Sequence, residues 1–190
     1  MKHRALEKAA QQENTPRIDI GTKNYRLLMM SPDLVTNAWV EWTNEPSVME
    51  PLNVRAMKLT KADLQRYVAA SNAQQKAIVG IFRGRGGQQV GIYELALDRH
   101  HMNASVEILV DTRKYDFDKV VSETLRPLLD HLQKRFDIGK FVALVPESYA
   151  AAIDFFDNAG WLREGVLREE MPALFSVGRI DVHQFGLLAA

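Results

Sequence analysis

A long helical pattern between two strand patterns constrains the fold of this chain more than any other feature. Apolar residues recur at helical spacing from Phe117 to Phe136. Strand-like apolar runs lie before this segment, at Ala104 to Val110, and after it, at Lys140 to Val145. A helix between two neighbouring strands is a crossover, and a crossover joins strands in parallel. The centre of the sheet is therefore predicted to contain one parallel pair.

The strand patterns that precede this crossover are joined by short turns. Ala77 to Phe82 and Val90 to Leu97 flank the glycine-rich sequence RGRGG. Strands on both sides of the glycines predict a hairpin, because a dinucleotide-binding loop would have to open a helix. A second turn, at His100 to Asn103, leads to the strand that ends at Val110. These three strands are predicted to form an antiparallel meander.

Two helices and one strand are predicted in the N-terminal half. Tyr25 to Met29 alternates as a short strand, and the sequence Ser31-Pro32-Asp33 predicts the start of a helix that ends near Trp42. Thr60 and Asp63 have the spacing of a capping box, which predicts the start of a second helix. Residues 1–20 are polar and are predicted to be a flexible segment, with one domain over residues 21–190.

The C-terminal third is predicted to contain a helix followed by two strands. Ser148 is positioned to cap a helix that runs to Ala159 and stops at Gly160. The two last strands are predicted at Leu162 to Met171 and at Ile180 to Leu188. The order of elements indicates an α/β fold with a mixed, mostly antiparallel sheet.

Composition excludes several classes of function. The 190 residues have a formal net charge of zero, so bulk electrostatics do not attract nucleic acid or an anionic membrane. The chain has no cysteine, which excludes disulfides, thiolate metal sites and cysteine nucleophiles. No apolar run approaches the ~20 residues of a membrane span, and the first residues have no hydrophobic signal region. A soluble cytoplasmic protein is expected.

Several C-terminal motifs together resemble a known family. The matching positions are the junction Phe155, Phe156, Ala159, Gly160 and Trp161, the strand Arg163 to Arg168, and the closing residues Gly178, Asp181 and Phe185 to Leu188. With the earlier segments WTNEPSVMEPLN and LTKADLQRYV, their order resembles the GNAT superfamily of N-acetyltransferases, in the branch of the ribosomal-protein N-terminal acetyltransferases. The resemblance covers the chain from about Ile18 to Leu188.

The resemblance implies a single GNAT-like domain whose sheet is splayed at the central strands and has helices on both faces. It also implies acyl transfer from acetyl-CoA, or another acyl-CoA, to a small amine or a protein N-terminus. Neither nucleic acid nor a membrane is an expected partner. The oligomeric state is left open, with a homodimer as one option.

Two side chains are candidates for the base that such a transfer requires. The sequence VEILVD matches the family strand in which a glutamate often serves as the base, which indicates Glu107. Glu94, on the preceding strand, is the reserve candidate, and the alternative for both is a solvent-facing strand residue. In the family the edge of the same strand contacts the acyl carbonyl, which here corresponds to Leu109 and Val110.

The position of the leaving-group acid departs from the family pattern. Phe156 stands where other GNAT branches carry the tyrosine that protonates the leaving thiolate. Tyr149 is the nearest replacement, and its alternative role is that of a packing residue. Tyr149 and Ala152 also replace an asparagine and a serine of the branch.

The loop that binds the CoA pyrophosphate in the family also departs from the pattern. Asp116 and Asp118 replace two glycines whose backbone amides hold the phosphates. Asp118 has the chemistry of a helix cap, and would then accept hydrogen bonds from the amides that a phosphate needs. Arg113, Lys114 and Lys119 are the candidate phosphate ligands, with solvated loop charge as the alternative.

Three functions are therefore open. The first is an acyl-CoA-dependent N-acyltransferase. The second is a GNAT-fold binding or structural module that no longer uses acetyl-CoA, and the third is an acyltransferase with an aminoacyl or acyl-carrier thioester as donor. No metal site is expected, because the pair His100-His101 lacks further ligands. The three tryptophans are expected in the core.

Overall fold

The computed structural model describes residues 18–73, 76–84 and 87–189. Its strands have the following bounds: β1 Asp19–Gly21, β2 Tyr25–Met29, β3 Lys76–Arg83, β4 Gln89–Asp98, β5 Asn103–Val110, β6 Lys140–Pro146, β7 Leu162–Pro172 and β8 Arg179–Leu188. Its α-helices are α1 Asn37–Thr43, α2 Pro46–Met49, α3 Lys61–Ala73, α4 Phe117–Phe136 and α5 Ala150–Asn158. Two short 3₁₀ turns lie at Pro32–Leu34 and Glu50–Leu52.

The described strands form one eight-stranded sheet in the order β1-β2-β3-β4-β5-β6-β8-β7. All neighbouring pairs are antiparallel except β5 and β6, which the α4 crossover joins in parallel. This parallel pairing covers only Asn103–Ser105 against Lys140–Val142. Beyond it β5 continues to Val110 and β6 continues to Pro146, but these two strands no longer pair with each other. The sheet is therefore splayed at its centre. The predicted mixed, mostly antiparallel and splayed sheet is confirmed.

Helices cover both faces of the sheet and bury two apolar clusters. One cluster lies under α4 and α5 and contains the buried apolar side chains of α4. The other lies under α1 and α3, where Trp39 and Trp42 stack with ring centroids 6.2 Å apart. Trp161 is buried in the first cluster, so all three tryptophans are core residues, as expected. Alternation along β4 and β5 directs successive side chains to opposite clusters.

The first helix is shorter than the sequence predicts. Ser31 makes no capping hydrogen bond, and the Pro32–Leu34 turn is followed by extended backbone at Val35. α1 begins one residue after Thr36, whose hydroxyl accepts the Trp39 backbone N–H at 3.1 Å. Val35, where the extended backbone separates the turn from α1, is only 2% exposed. Burial of its side chain accompanies this interruption of the helix, which the local capping signals did not predict.

Ser148 does not cap the last helix. Its hydroxyl donates to the Pro51 carbonyl at 2.9 Å, and Tyr149 occupies the N-cap position of α5 without a side-chain capping bond. α5 ends at Asn158, one residue before the predicted end. A contact between distant segments has therefore replaced the local cap.

The first described residues add a strand that the sequence analysis did not predict. β1 pairs with β2 at the edge of the sheet, and Asp19 and Arg26 join the two strands through an ion pair of 2.7 Å. The rest of the segment that was predicted to be flexible, residues 1–17, lies outside the described residues.

We expect a substitution at Gly91 to disturb the strand that borders the splay. A Cβ at Gly91 would lie 2.5 Å from the Leu109 carbonyl oxygen, because β4 and β5 approach closely there. Gly91→Ala should therefore lower the free energy of unfolding by about 1–3 kcal/mol in urea denaturation. Gly165→Ala is the matched control, since an added Cβ there has nothing within 4 Å. Equal stabilities of the two variants would contradict this account of Gly91.

Candidate functional site

A cavity of about 790 Å³ opens where β5 and β6 diverge. We call it the main cavity. One wall consists of Val106 to Leu109 of β5, and the facing wall consists of Leu144 to Pro146 of β6 together with residues at the start of α5. Residues at the ends of β7 and β8 and the segment after α2 close the remaining side.

The backbone of β5 presents a hydrogen-bonding edge to this splay. The Asp111 N–H donates to the Val90 carbonyl at 2.9 Å, which fixes which backbone groups of β5 face β4. Because N–H and C=O directions alternate along a strand, those of Ile108 and Val110 point away from β4 toward the splay. Leu109 pairs its backbone with β4 instead, and its side chain lines the main cavity.

Two carboxylates lie side by side on the wall of the main cavity. Glu94 and Glu107 are directly opposite each other in the β4–β5 ladder, and both line the cavity. Glu107 is exposed and Glu94 is partly buried. Both residues were predicted to lie on strands, but the register that pairs them was not visible in the sequence.

Tyr67 of α3 holds Glu94 in place. Its hydroxyl donates to the Glu94 carboxylate at 2.6 Å. Burial raises the pKa of Glu94; the Tyr67 hydrogen bond opposes this shift and the negative charge of Glu107 adds to it. A carboxyl group with a raised pKa is a stronger base than an ordinary one. Tyr67 was not among the candidate site residues predicted from the sequence, so its role was missed.

A second, smaller cavity of about 240 Å³ adjoins the main one. We call it the side pocket. It lies between α1, α3 and the segment after Asn53, and most of its lining is apolar. Glu94, Tyr67 and Leu109 line both cavities, so the two spaces meet beside Glu94, and Glu107 lines the main cavity next to it.

Tyr149 lies on the opposite wall, at the open end of the splay, beside the end of β5 at Val110. It is 6% exposed, and its ring packs edge-on against Phe117 with centroids 5.3 Å apart. Burial raises the pKa of the Tyr149 hydroxyl, against the effect of a hydrogen bond with the Val110 backbone. The hydroxyl therefore remains protonated at neutral pH, which is the state that a proton donor requires.

Phe156 and Ala152 line the main cavity without contributing a polar group. Phe156 is 1% exposed and packs against Trp161 and Phe185. The position where other GNAT branches carry a tyrosine is thus a core position here, and Tyr149 is the phenol nearest to the Val110 edge among the residues that line the cavity.

Asn53 holds the connection between β7 and β8 over the main cavity. Its side-chain amide donates to the Pro172 carbonyl at 2.8 Å, and its side-chain oxygen accepts the Leu174 N–H at 2.9 Å. Asn53 has a left-handed backbone, with φ of 54°, which asparagine tolerates better than most residues. Asn53 was not predicted as a site residue, and its tolerance of a left-handed backbone is the only local signal that the sequence offers.

Asp116, not Asp118, caps α4. The Asp116 carboxylate accepts the Lys119 backbone N–H at 3.1 Å and is also hydrogen-bonded by the Asp118 backbone. The Lys119 backbone N–H, aided by the Lys119 side chain, holds the pKa of Asp116 below its usual value. A helix N-terminus binds phosphate through these same backbone N–H groups. In this structure a carboxylate of the chain itself occupies them.

Two of the three candidate phosphate ligands are already ion-paired. Arg113 makes two hydrogen bonds to the buried Asp111 carboxylate, at 2.7 and 2.9 Å, and lies 3.6 Å from Glu45. Lys119 pairs with Asp116 at 3.3 Å. Lys114 is an exposed loop residue whose backbone N–H donates to the Asp111 carbonyl. The structure thus brings Glu107, Leu109 and Tyr149 to one cavity, with the Val110 backbone hydrogen-bonded to Tyr149. It leaves Arg113 and Lys114 in the adjoining loop and Lys119 in the first turn of α4.

No family model and no curated protein sequence matches the chain. Solved structures of acetyltransferases do match its fold. A probable GNAT-family acetyltransferase from Chromobacterium violaceum has a TM-score of 0.77 at 16% identity, over 91% of this chain and 87% of that chain.

Two further matches have more specific names. Spermidine N-acetyltransferase from Vibrio cholerae, solved with CoA and spermine, has a TM-score of 0.72 at 15% identity, over 87% of this chain and 95% of that chain. An acetyltransferase from Salmonella typhimurium that modifies the N-terminal serine of a 50S ribosomal subunit protein has a TM-score of 0.74 at 14% identity, over 89% and 97%. The chain therefore has the GNAT acetyltransferase fold, which confirms the fold that the sequence resemblance implied.

The described residues were also compared with the requirements of a membrane-spanning helix and of a metal site. Within residues 18–73, 76–84 and 87–189, no helix is long and apolar enough to cross a lipid bilayer. Across the same ranges no group of three or more histidine, aspartate or glutamate side chains is arranged to hold a metal ion.

The raised pKa of Glu94 predicts a dependence of stability on pH. The folded state binds the Glu94 proton more tightly than the unfolded state, so this residue's contribution to stability falls as pH rises above about 4.3. Glu94→Gln removes the titration while its side-chain oxygen can still accept the Tyr67 hydrogen bond. We expect the variant to gain stability relative to the parent between about pH 4 and pH 7 in urea denaturation.

Glu164 provides a control of opposite sign. A hydrogen bond with Lys140 is the main cause that holds the pKa of Glu164 below its usual value. Glu164→Gln should therefore lose stability relative to the parent as pH rises. A Glu94→Gln difference that stays constant with pH would show that Glu94 titrates normally.

Proposed function

We propose that this protein is an N-acyltransferase that transfers an acyl group from an acyl thioester, such as acetyl-CoA or another acyl-CoA, to a primary amine. The amine is a small molecule or a protein N-terminus. The observation that carries the proposal is the splay between β5 and β6. There an unpaired strand edge, a pair of carboxylates and a buried phenol border one cavity.

The acceptor half of the reaction depends on the carboxylates. An amine is protonated near neutral pH and must lose a proton before its nitrogen can attack a carbonyl carbon. Glu107 is exposed at the cavity wall and accepts this proton, either directly or through a water molecule. Glu94, held by Tyr67, lies beside it and adds a second negative charge that attracts the ammonium group.

The donor half depends on the edge of β5 and on Tyr149. Backbone N–H groups that point into the splay polarise the thioester carbonyl, as an oxyanion hole does. As the new C–N bond forms, the C–S bond breaks and the thiolate takes a proton. The protonated Tyr149 hydroxyl, next to Val110, is the group that supplies it. The ammonium loses two protons as it becomes an amide. Glu107 takes the first, and the second, which leaves the nitrogen after the C–N bond forms, restores the proton that Tyr149 gives to the thiolate, so one proton is released overall.

The thioester end of an acyl-CoA fits this chain better than the pyrophosphate end does. The thioester end fits the splay, because beyond Ser105 the edge of β5 has no strand partner on that side. The pyrophosphate end does not fit the loop as it stands, because Asp116 holds the backbone N–H groups at the start of α4. Phosphate binding requires that Asp116 release them or that cations in the loop replace them.

The Asp116 cap at the start of α4 supports a second candidate function. A GNAT-fold binding or structural module that no longer uses acetyl-CoA would have no need for amides at the start of α4. Calorimetric titration with acetyl-CoA, combined with an assay for thiol release in the presence of amines, separates the two candidates. Saturation at ~100 times the dissociation constant should also add ~2.7 kcal/mol of apparent stability. Absence of heat, of a melting-temperature shift and of thiol release at millimolar acetyl-CoA would favour the module.

Glu107→Gln tests the proposed base. The amide keeps the shape of the side chain and loses the basic oxygen, so the turnover number should fall by ~10²-fold or more near neutral pH. The defect should shrink as pH rises, because unprotonated amine becomes available. Affinity for the acyl donor should change little. Steady-state kinetics over a pH series provide the measurement.

Glu94→Gln is the matched comparison, since it removes the neighbouring carboxylate of the same pair. A larger loss for Glu94→Gln than for Glu107→Gln would assign the base to Glu94. Turnover by Glu107→Gln at the parent rate would show that Glu107 is only a strand residue.

Asp116→Gly tests whether the cap obstructs the donor. The substitution removes the carboxylate and exposes the N–H groups of Asp118 and Lys119, so affinity for acetyl-CoA should rise by ~10-fold. Isothermal titration calorimetry measures the change. Asp118→Gly removes the same charge but leaves the Asp116 cap in place, and it should give a smaller gain. Equal gains for both variants would attribute the effect to charge alone.

A further inference from the structure

We propose that the acceptor is a small primary amine that carries one compact apolar group. Its ammonium lies beside Glu94 and Glu107, and the apolar group occupies the side pocket. This inference rests on the proposed N-acyltransferase function, because it names the acceptor of that reaction. It goes further in excluding acceptors with a second charge.

The walls of the side pocket select an apolar group. Its floor includes the buried rings and side chains of Trp39 and Leu64, and its rim includes Met57, which is 60% exposed. The volume of about 240 Å³ is below the range of roughly 300–1,000 Å³ that holds drug-sized ligands. The pocket therefore accommodates one group of the size of an amino-acid side chain.

The position of the carboxylates orients the amine. Like charges directly opposite each other on neighbouring strands are unfavourable, yet Glu94 and Glu107 occupy such positions. An ammonium group between them removes the repulsion. Glu94 lines both the side pocket and the main cavity. An amine bound beside Glu94 therefore presents its nitrogen to the main cavity while its substituent enters the side pocket.

The polar groups of the side pocket do not favour a second ammonium. The Asp63 carboxylate accepts the Thr60 backbone N–H at 2.8 Å and the Thr60 hydroxyl at 2.6 Å, and it pairs with Arg66. Arg55 adds a positive charge to the lining. A diamine would have to place its distal ammonium between this cation and apolar walls, where an unpaired charge is costly.

A matched pair of substrates tests the inference. n-Pentylamine and 1,5-diaminopentane have the same chain length and differ by one terminal ammonium. With the 190-residue chain and acetyl-CoA, kcat/KM for pentylamine should exceed that for the diamine by ~100-fold or more. Equal values, or a preference for the diamine, would overturn the inference. Faster turnover of a peptide with an N-terminal leucine would also overturn it, since the acceptor would then be a protein chain.

A matched pair of variants links the selectivity to the pocket. Met57→Asp places a carboxylate at the rim of the side pocket, and it should lower the preference for pentylamine by ~10-fold or more. Met102→Asp is the control, because Met102 is a similarly exposed methionine in the β4–β5 turn, outside both cavities. Identical selectivity in parent and Met57→Asp would show that the pocket does not bind the acceptor.

A binding measurement separates this inference from the proposed function. Calorimetric titration of the protein with each amine, without acyl donor, requires no turnover. Tighter binding of pentylamine than of the diamine, without acetylation of either, would retain the pocket assignment and reject the N-acyltransferase. Acetylation of other amines with no binding of pentylamine would retain the enzyme and reject the pocket assignment.

Discussion

The short parallel contact between β5 and β6 is the constraint on which the rest of the structure depends. β5 is paired along its length with β4, and β6 is paired along its length with β8. The two halves of the sheet meet over only three residue pairs, beginning at Asn103 and Lys140. Beyond Ser105 the facing strand edges have backbone groups that the sheet leaves unpaired. Such groups require a hydrogen-bonding partner from water, a side chain or a ligand.

The splay also arranges the chemistry of the candidate site. Within a strand the side chains alternate between the two faces while the backbone groups lie in the plane of the sheet. Glu107 therefore joins Glu94 on the face of α1 and α3, whereas Tyr149 approaches from α5 on the other side. A molecule bound within the splay would meet the carboxylates from one face, the phenol from the other and the edge of Val110 between them.

The start of α4 shows a conflict between helix stability and anion binding. A helix N-terminus has unpaired N–H groups that a side-chain cap or an anion can satisfy, but not both at once. Asp116 satisfies them from within the chain, and Lys119 is paired with the same carboxylate. Arg113 is likewise held by the buried Asp111. The groups that would contact a pyrophosphate are thus already paired within the chain.

Sequence by itself determined the features that depend on short stretches of chain. The α4 crossover, the strand that carries Glu107 and the acidic loop before α4 all follow from local periodicity and residue type. Tertiary structure decided which residues these features contact. The register that sets Glu94 opposite Glu107, the Tyr67 hydrogen bond and the choice of Asp116 as the cap depend on how the chain packs and turns in three dimensions. The periodicity of apolar residues in a helix or strand indicates which face a side chain occupies. Contacts between distant segments form only when the elements pack together in the core.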